Sequence, residues 1–349
     1  MNVNRNYYEM QVEGHPLAPK EVDVTERQLG RFRELVRRGQ GRRDFDDDCY
    51  YEGQFAAGEI SGQGVYRFND GSTYEGDFKD GWMHGKGLYT VKARVGGDDS
   101  AGSNLQKGGA VHTFEGDYLL GAREGHGTIK YANQIIYQGE VKASRCAGKG
   151  KFIFPNGDVY EGDFEADLPH GTGTYTFANG TVYEGEFRAG VRHGKGTLTF
   201  SSGEEYEGEW VDGVMSGHGV GRADREEYEG EWVANQKAGR GKCTFADGTA
   251  YDGEWVANKK QGKGKMTFTN GASYDGDWRA DVKHGSGRYA LANGCVYVGE
   301  YADGKRDGKG TFTWASGMVD VCRYKGGDAV GEGARWSSDH QGAPATNSE

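Results

Sequence analysis

Histidine stands directly before a Gly-x-Gly pair at His84, His170, His193 and His284. Such a row of imidazoles has the residue type of a metal site or a proton relay. Carboxylates one residue apart, as in Glu75/Asp77, Glu161/Asp163, Glu184/Glu186, Glu207/Glu209 and Asp275/Asp277, have the residue types of a glycosidase couple. The glycine pairs themselves look like the loops that cradle phosphate. One objection meets all three readings: the residues recur at a fixed interval, His170 and His193 being 23 residues apart. A reaction centre is needed once, whereas a feature present in every unit is a face. Equivalent positions in neighbouring hairpins lie two strands apart, roughly 10 Å, too far for ligands that must each sit ~2 Å from one ion. The glycine pairs also lack the strand–loop–helix setting of a phosphate site. Cys49, Cys146, Cys243, Cys295 and Cys322 are odd in number and without CxxC spacing, so free thiols are expected instead of a disulfide frame or zinc site. No catalytic, metal or cofactor-binding residue emerges, and the expectation is a protein without enzymatic activity or cofactor.

The elements that carry these residues follow from the interval. Blocks of Tyr-acid-Gly-acid-aromatic begin at Tyr51, Tyr74, Phe114, Tyr137, Tyr160, Tyr183, Tyr206, Tyr228, Tyr251, Tyr274 and Tyr297, with a degenerate twelfth at Asp320. Successive starts differ by 23, except for 40 between Tyr74 and Phe114 and 22 between Tyr206 and Tyr228. Counting the Tyr as position 1, glycines fall at 12 and 14 (Gly194/Gly196, Gly262/Gly264) and apolar residues at 16 and 18 (Phe152/Phe154, Met266/Phe268). A turn glycine follows at 21, often after Asn or Asp, as in Asn156-Gly157 and Asp247-Gly248. Alternation with period two marks strands, and the Asn-Gly pairs mark tight hairpin turns. Each unit therefore reads as one β-hairpin. The expected register places 5 opposite 12, 3 opposite 14 and 1 opposite 16; across the Asn-Gly turn, 18 faces the next Tyr and 14 the next aromatic at 5. Rings would then lie over bare glycine backbone on one face, with positions 2 and 4 forming an acidic row on the other.

Composition agrees with this reading. Of 349 residues 62 are Gly and only 5 are Pro, 35 % are apolar, yet there are 21 Tyr, 15 Phe and 7 Trp. Collagen and low-complexity disorder are both excluded by those numbers, and too little aliphatic material is present for one conventional core. The fold class expected is all-β: an elongated single-layer antiparallel ribbon of hairpins, about 24 strands at ~4.8 Å giving a rod on the order of 100 Å long. Three regions are expected: an N-terminal extension over 1–48, a repeat array over 49–336, and a disordered tail over 337–349. Thr25 and Gln28 suggest a capping box opening a helix from about Glu26 to Arg38, with Leu29, Phe32, Leu35 and Val36 on one face, to cap the first hairpin or dock elsewhere. The cluster Arg37, Arg38, Arg42 and Arg43 is followed by Asp44 and Asp46 to Asp48 and reads as solvated charge. The insertion, roughly Val95 to Val111, is rich in Gly, Ser and Asp and reads as a flexible loop. The net charge of −11 weighs against nucleic acid. Met1 to Arg5 lack an apolar stretch, Asn2 occupies the place where myristoylation requires glycine, and no run approaches the ~18–20 apolar residues of a bilayer span. The expectation is a soluble cytoplasmic protein.

Tyr183-Glu-Gly-Glu-Phe with His193-Gly194-Lys195-Gly196, and Tyr274-Asp-Gly-Asp-Trp with His284-Gly285-Ser286-Gly287, resemble the MORN repeat (membrane occupation and recognition nexus). The resemblance runs from residue 51 to about 336. It implies a binding or scaffolding array, as in radial-spoke heads of cilia, junctional membrane proteins and cortical scaffolds, with catalysis in that family confined to fused domains. Val141 in place of an aromatic, Gln134 in place of a turn glycine and the shortened turn at Ala223–Glu227 depart from the pattern. The leading expectation is a structural subunit of a cytoskeletal or axonemal assembly of the radial-spoke-head type, contacting protein partners through Tyr206, Trp210, Tyr228, Trp232, Tyr251, Trp255, Tyr274 and Trp278. The alternative is a phosphoinositide- or membrane-binding tether, with Lys86, Lys149, Lys195, Lys263 and Lys309 at position 13 lining one edge. A homodimer through the degenerate terminal hairpin, Arg323–Trp336, is a further expectation.

Overall fold

Two turns of different kinds punctuate each 23-residue unit. The first lies at positions 7 and 8, where both residues take the left-handed conformation: Ala257 and Asn258 have φ of 49° and 65°, Asp303 and Gly304 48° and 82°. That is the two-residue hairpin turn whose twist suits flanking strands. The second lies at positions 19–21. In the Tyr251 unit the Phe268 amide donates to the Ala272 carbonyl and the Gly271 amide to the Phe268 carbonyl, both at 2.9 Å. These bonds enclose Thr269-Asn270-Gly271, with Gly271 at φ 85° and the Asn270 side chain accepting from the Ala272 amide at 3.0 Å. The Asn-Gly pairs thus do mark turns, but three-residue ones that join units. The tighter turn sits inside the unit, at residues such as Ala257-Asn258 that carry no strong turn signal.

The computed structural model describes residues 38–45, 47–92 and 111–336, which form 25 β-strands and no helix. The protein is all-β, built of repeating antiparallel hairpins. In the Tyr206 unit, Glu205–Val211 pairs with Val214–Ala223, which in turn pairs with Glu226–Val233 of the next unit. The chain falls into two compact units. One holds the described residues up to Gly180 together with Glu186–Val191; the other holds Thr181–Gly185 and the described residues from Arg192 onward. Each is a succession of such hairpins.

The observed register corrects the expected one in two places. Within a hairpin, position 1 does face 16 and 3 does face 14 (Tyr251↔Met266, Gly253↔Gly264), but Trp255 at position 5 faces Lys260 at 10, not the glycine at 12. Between hairpins the expectation is two residues out: Met266 at 16 faces the next Tyr274, Gly264 at 14 faces Gly276, and Gly262 at 12 faces Trp278. The causes differ: within the hairpin, Gly262 at φ 59° makes a bulge that places extra residues on one strand, whereas between hairpins the three-residue turn, which pairs Phe268 with Ala272, sets the register.

The segments flanking and interrupting the repeats also differ from expectation. Arg38, the expected last residue of the helix, begins a strand, Arg38–Asp44, that pairs along Tyr50–Ala56 with Gly39 facing Phe55 and Gly41 facing Gly53. Gly39 and Gly41 stand 23 residues before Gly62 and Gly64, so this strand is the second half of a truncated unit and covers the edge left for the helix. The remainder of that helix, from Glu26, and the tail over 337–349 lie outside the described residues. So does most of the insertion, residues 93–110; Val111 begins the strand Val111–Leu119, whose partner Trp82–Thr90 keeps the usual register, with Gly87 opposite Gly116. The missing residue near Ala223–Glu227 replaces the three-residue turn by a two-residue one, Asp224-Arg225, with φ of 44° and 68°.

Candidate interaction face

Nearly every hairpin is organised around the tyrosine at position 1, with Phe114 taking its place in one. The ring lies across the facing glycine pair at 3 and 14: a Cβ on Gly253 would fall 2.5 Å from both the Tyr251 hydroxyl and the Cα of Gly264. No side chain larger than hydrogen fits. The hydroxyl donates to the carbonyl of position 4, as from Tyr251 to Glu254 at 3.1 Å and from Tyr74 to Asp77 at 3.0 Å. Enclosure disfavours the phenolate, pushing the hydroxyls of Tyr51, Tyr206 and Tyr228 up to about 12.

The position-5 ring locks neighbouring hairpins together. The indole N–H of Trp210, Trp232, Trp255 and Trp278 donates to the carbonyl of Gly196, Gly219, Gly241 and Gly264 in the preceding hairpin, at 2.9–3.1 Å. Tyr206, Trp232, Tyr228, Trp255, Tyr251 and Trp278 then follow edge-to-face with centroids 5.1–5.4 Å apart, the geometry aromatic quadrupoles prefer. The eight residues expected to contact partners are these rings. Tyr206, Trp210, Tyr228, Trp232, Tyr251, Trp255, Tyr274 and Trp278 are 0–9 % exposed. They stack on one another and on glycine, and form the core.

What the face offers is whatever lies over that core, and this is position 10, which the sequence analysis did not single out. In the N-terminal unit it is occupied mainly by neutral, buried residues, Ile60, Met83, Cys146 and Pro169, with Arg123 as the exception. In the C-terminal unit it becomes Arg192, Lys237, Lys260, Lys283 and Arg306, all half-buried, with Met215 the neutral member. Each cation sits against its own Tyr, and most also reach the next position-5 ring. Arg192 lies 4.4 Å from the centre of Trp210, Lys237 5.4 Å from Trp255, Lys260 5.3 Å from Trp278 and Arg306 4.7 Å from Tyr324. Their aliphatic stems cover the rings while the charges gain from the π faces. The signal was present in the sequence as a change of residue type at one phase of the repeat.

The acidic positions serve largely within the sheet. Position-4 carboxylates accept the amide of position 13 beyond the bulge, as Asp163 does from Thr172 at 3.0 Å and Glu254 from Lys263 at 3.1 Å. The lysine at 13 meets the carboxylate of the next unit: Lys86 with Asp117 and Lys149 with Asp163 at 2.6 Å, Lys263 with Asp277 at 2.5 Å. Those lysines hold the carboxyls of Asp117 and Asp163 below the usual range. At position 6 of three consecutive hairpins the same side carries exposed valines, Val211, Val233 and Val256, 46–61 % accessible.

The residues first weighed for chemistry stay apart. The four histidines occupy separate hairpins; Nδ1 of His84, His193 and His284 is buried, and Nε2 of His170 lies 3.3 Å from Glu165. Cys49, Cys146, Cys243 and Cys295 are buried and Cys322 half-buried. Among the described residues no three His, Cys, Asp or Glu side chains converge as a metal site would require.

The family model of the MORN repeat matches eleven segments, 51–73, 74–90, 114–135, 137–159, 160–182, 183–205, 206–220, 228–250, 251–273, 274–296 and 297–319. Curated protein sequences yield no match. Among solved structures the chain is similar to the TCP10 domain of Danio rerio CPAP in complex with a peptide of Danio rerio STIL, at 16 % identity over 62 % of this chain and 96 % of that one, TM-score 0.38. It is also similar to the Drosophila melanogaster SAS-4 (dCPAP) TCP domain in complex with a proline-rich motif of Ana2 (dSTIL), at 14 % identity over 51 % and 85 %, TM-score 0.25.

Proposed function

Because the chain belongs to the MORN repeat family, we propose that it is a non-catalytic scaffold that binds other proteins in a cytoskeletal or axonemal assembly of the radial-spoke-head type, in the cytoplasm. The observation that carries this reading is a row on each face of the sheet, running from hairpin to hairpin in the C-terminal unit. One is the exposed valine row Val211, Val233 and Val256; the other is the position-10 cations over the buried rings. Apolar side chains repeated in line on an otherwise charged sheet are the mark of a surface that a partner covers. A partner following the repeat would meet one equivalent contact per unit. The phosphoinositide tether is not carried as a second reading, since three of the position-13 lysines on which it rested, Lys86, Lys149 and Lys263, already face aspartates.

Proximity labelling of the tagged protein in a ciliated cell tests the reading. Axonemal or cytoskeletal proteins should be enriched, and replacing Val211, Val233 and Val256 together by Ser should remove a subset of them. A plasma-membrane pattern unchanged by the substitutions would overturn it.

A further inference from the structure

The cations of the C-terminal unit are not all compensated. Lys237 is paired with Glu226, and Lys260 lies 3.9 Å from Asp281. Lys283 and Arg306 differ: among the described residues no carboxylate comes within 4 Å of either. Around Lys283 stand three rings, Tyr289 at 4.4 Å, Tyr274 at 5.1 Å and Phe268 at 5.6 Å; around Arg306 stand Tyr324 at 4.7 Å and Tyr297 at 5.5 Å. Burial alone lowers the affinity of Lys283 for its proton. A half-buried charge left with rings only lacks the counter-charge that such groups ordinarily have.

We propose that Lys283 and Arg306 form a docking site for an acidic segment of a partner protein, bound in extended form with carboxylates three residues apart. The spacing follows from the fold. Lys283 lies in Val282–Ala290 and Arg306 in Lys305–Thr313, with the strand Val296–Ala302 between; Arg306 faces Tyr301, which faces Gly285, so the two cations lie two strand intervals across and two residues along from each other, roughly 12 Å. A chain in the left-handed extended conformation, common in unfolded segments, returns to the same side every three residues after about 9 Å. With the reach of the two long side chains, one carboxylate then meets Lys283 and the next Arg306. A flat anionic membrane is the poorer fit. The position-10 lysines are recessed, Lys237 and Lys260 being 18 % and 15 % exposed, whereas the lysines at position 13, 64–72 % exposed at Lys86, Lys149 and Lys263, are neutralised. The site names the partner chemistry of the scaffold proposed above and rests on that reading.

Fluorescence anisotropy of the full chain with a short labelled peptide of Glu-Ala-Pro repeats, and with its Gln-Ala-Pro counterpart, tests the proposal. The Glu peptide should bind and the Gln peptide should not, with affinity falling as salt rises. Lys283→Gln with Arg306→Gln should weaken binding about tenfold or more, while Lys263→Gln should leave it unchanged; near-UV circular dichroism reports that each variant is folded. Equal binding of both peptides, or of neither, would overturn the proposal on the unaltered protein whatever the variants do. So would loss of phosphatidylserine-vesicle binding in the double variant without any peptide binding. A failed peptide test beside an intact, valine-dependent labelling pattern removes this site alone, and failure of the labelling pattern removes the scaffold reading.

Discussion

At the scale of the residue, the fold depends on one recurring contact: an aromatic ring, tyrosine in nearly every unit and phenylalanine at Phe114, laid over two glycines that face each other. Alanine at Gly253 would bring its methyl to 2.5 Å from the Gly264 Cα and the Tyr251 hydroxyl, with backbone on one side that cannot yield. Gly253→Ala should therefore destabilise its hairpin by about 3 kcal/mol, read as lost hydrogen-exchange protection around Tyr251 and Met266; unchanged protection would refute the clasp. The hydroxyl gives a second handle. Burial raises the phenols of Tyr51, Tyr206 and Tyr228 to about 12 from an ordinary 10. The folded chain then keeps protons that the unfolded chain loses above pH 10, so stability is level below that pH and falls as pH rises toward 12. Alkaline difference spectroscopy should show the phenolate absorbance of these tyrosines appearing together with unfolding, and not before it.

At the scale of the element, the turns separate what could be read in the sequence from what could not. Tyrosine, glycine and aromatic phases were legible because they recur every 23 residues, and their alternation left no choice but strands. The register was not: within a hairpin Gly262 and Gly264 look alike on paper although only Gly262 is a left-handed bulge, and between hairpins an Asn-Gly pair marks a turn without fixing its length at three residues. The truncated first unit was legible in principle from Gly39 and Gly41, yet no Tyr block precedes them. Nor was the inner turn visible, since Ala257 does not announce positive φ. What holds it there is tertiary: the Asn258 amide donates to the Lys237 carbonyl of the preceding hairpin at 3.1 Å, and its side chain accepts from the Lys237 amide at 2.8 Å. Position 10 was overlooked for a similar reason, its importance arising only when two hairpins meet. Gln134 shows the cost of a turn filled by the wrong residue. It takes the turn-glycine place at φ 67°, its amide still bonded to the Tyr131 carbonyl at 2.9 Å. Left-handed backbone strains a side-chain-bearing residue by about 1–2 kcal/mol, partly offset by glycine's freer unfolded state. Gln134→Gly should thus stabilise the protein by about 0.5–1 kcal/mol in denaturant unfolding, and a loss of stability would show that the glutamine has a contact role.

At the scale of the whole molecule, the absence of a conventional core has an energetic consequence. Each position-5 tryptophan is buried by its own hairpin and the one before it: Trp255 contacts Tyr228 and Tyr251 at 5.4 and 5.1 Å and bonds to the Gly241 carbonyl at 3.0 Å. Stability in such a chain is a sum of hairpin terms and nearest-neighbour terms, with no single interior through which damage spreads. Trp255→Ala removes the ring, its hydrogen bond and both edge-to-face contacts, a loss of about 3–5 kcal/mol at the site. Hydrogen exchange should show protection lost from the strands Gln236–Thr244, Ala250–Val256 and Lys259–Thr267, while Thr73–Lys79 and Trp82–Thr90 exchange as before. Uniform loss along the chain would mean that the hairpins fold as one cooperative body.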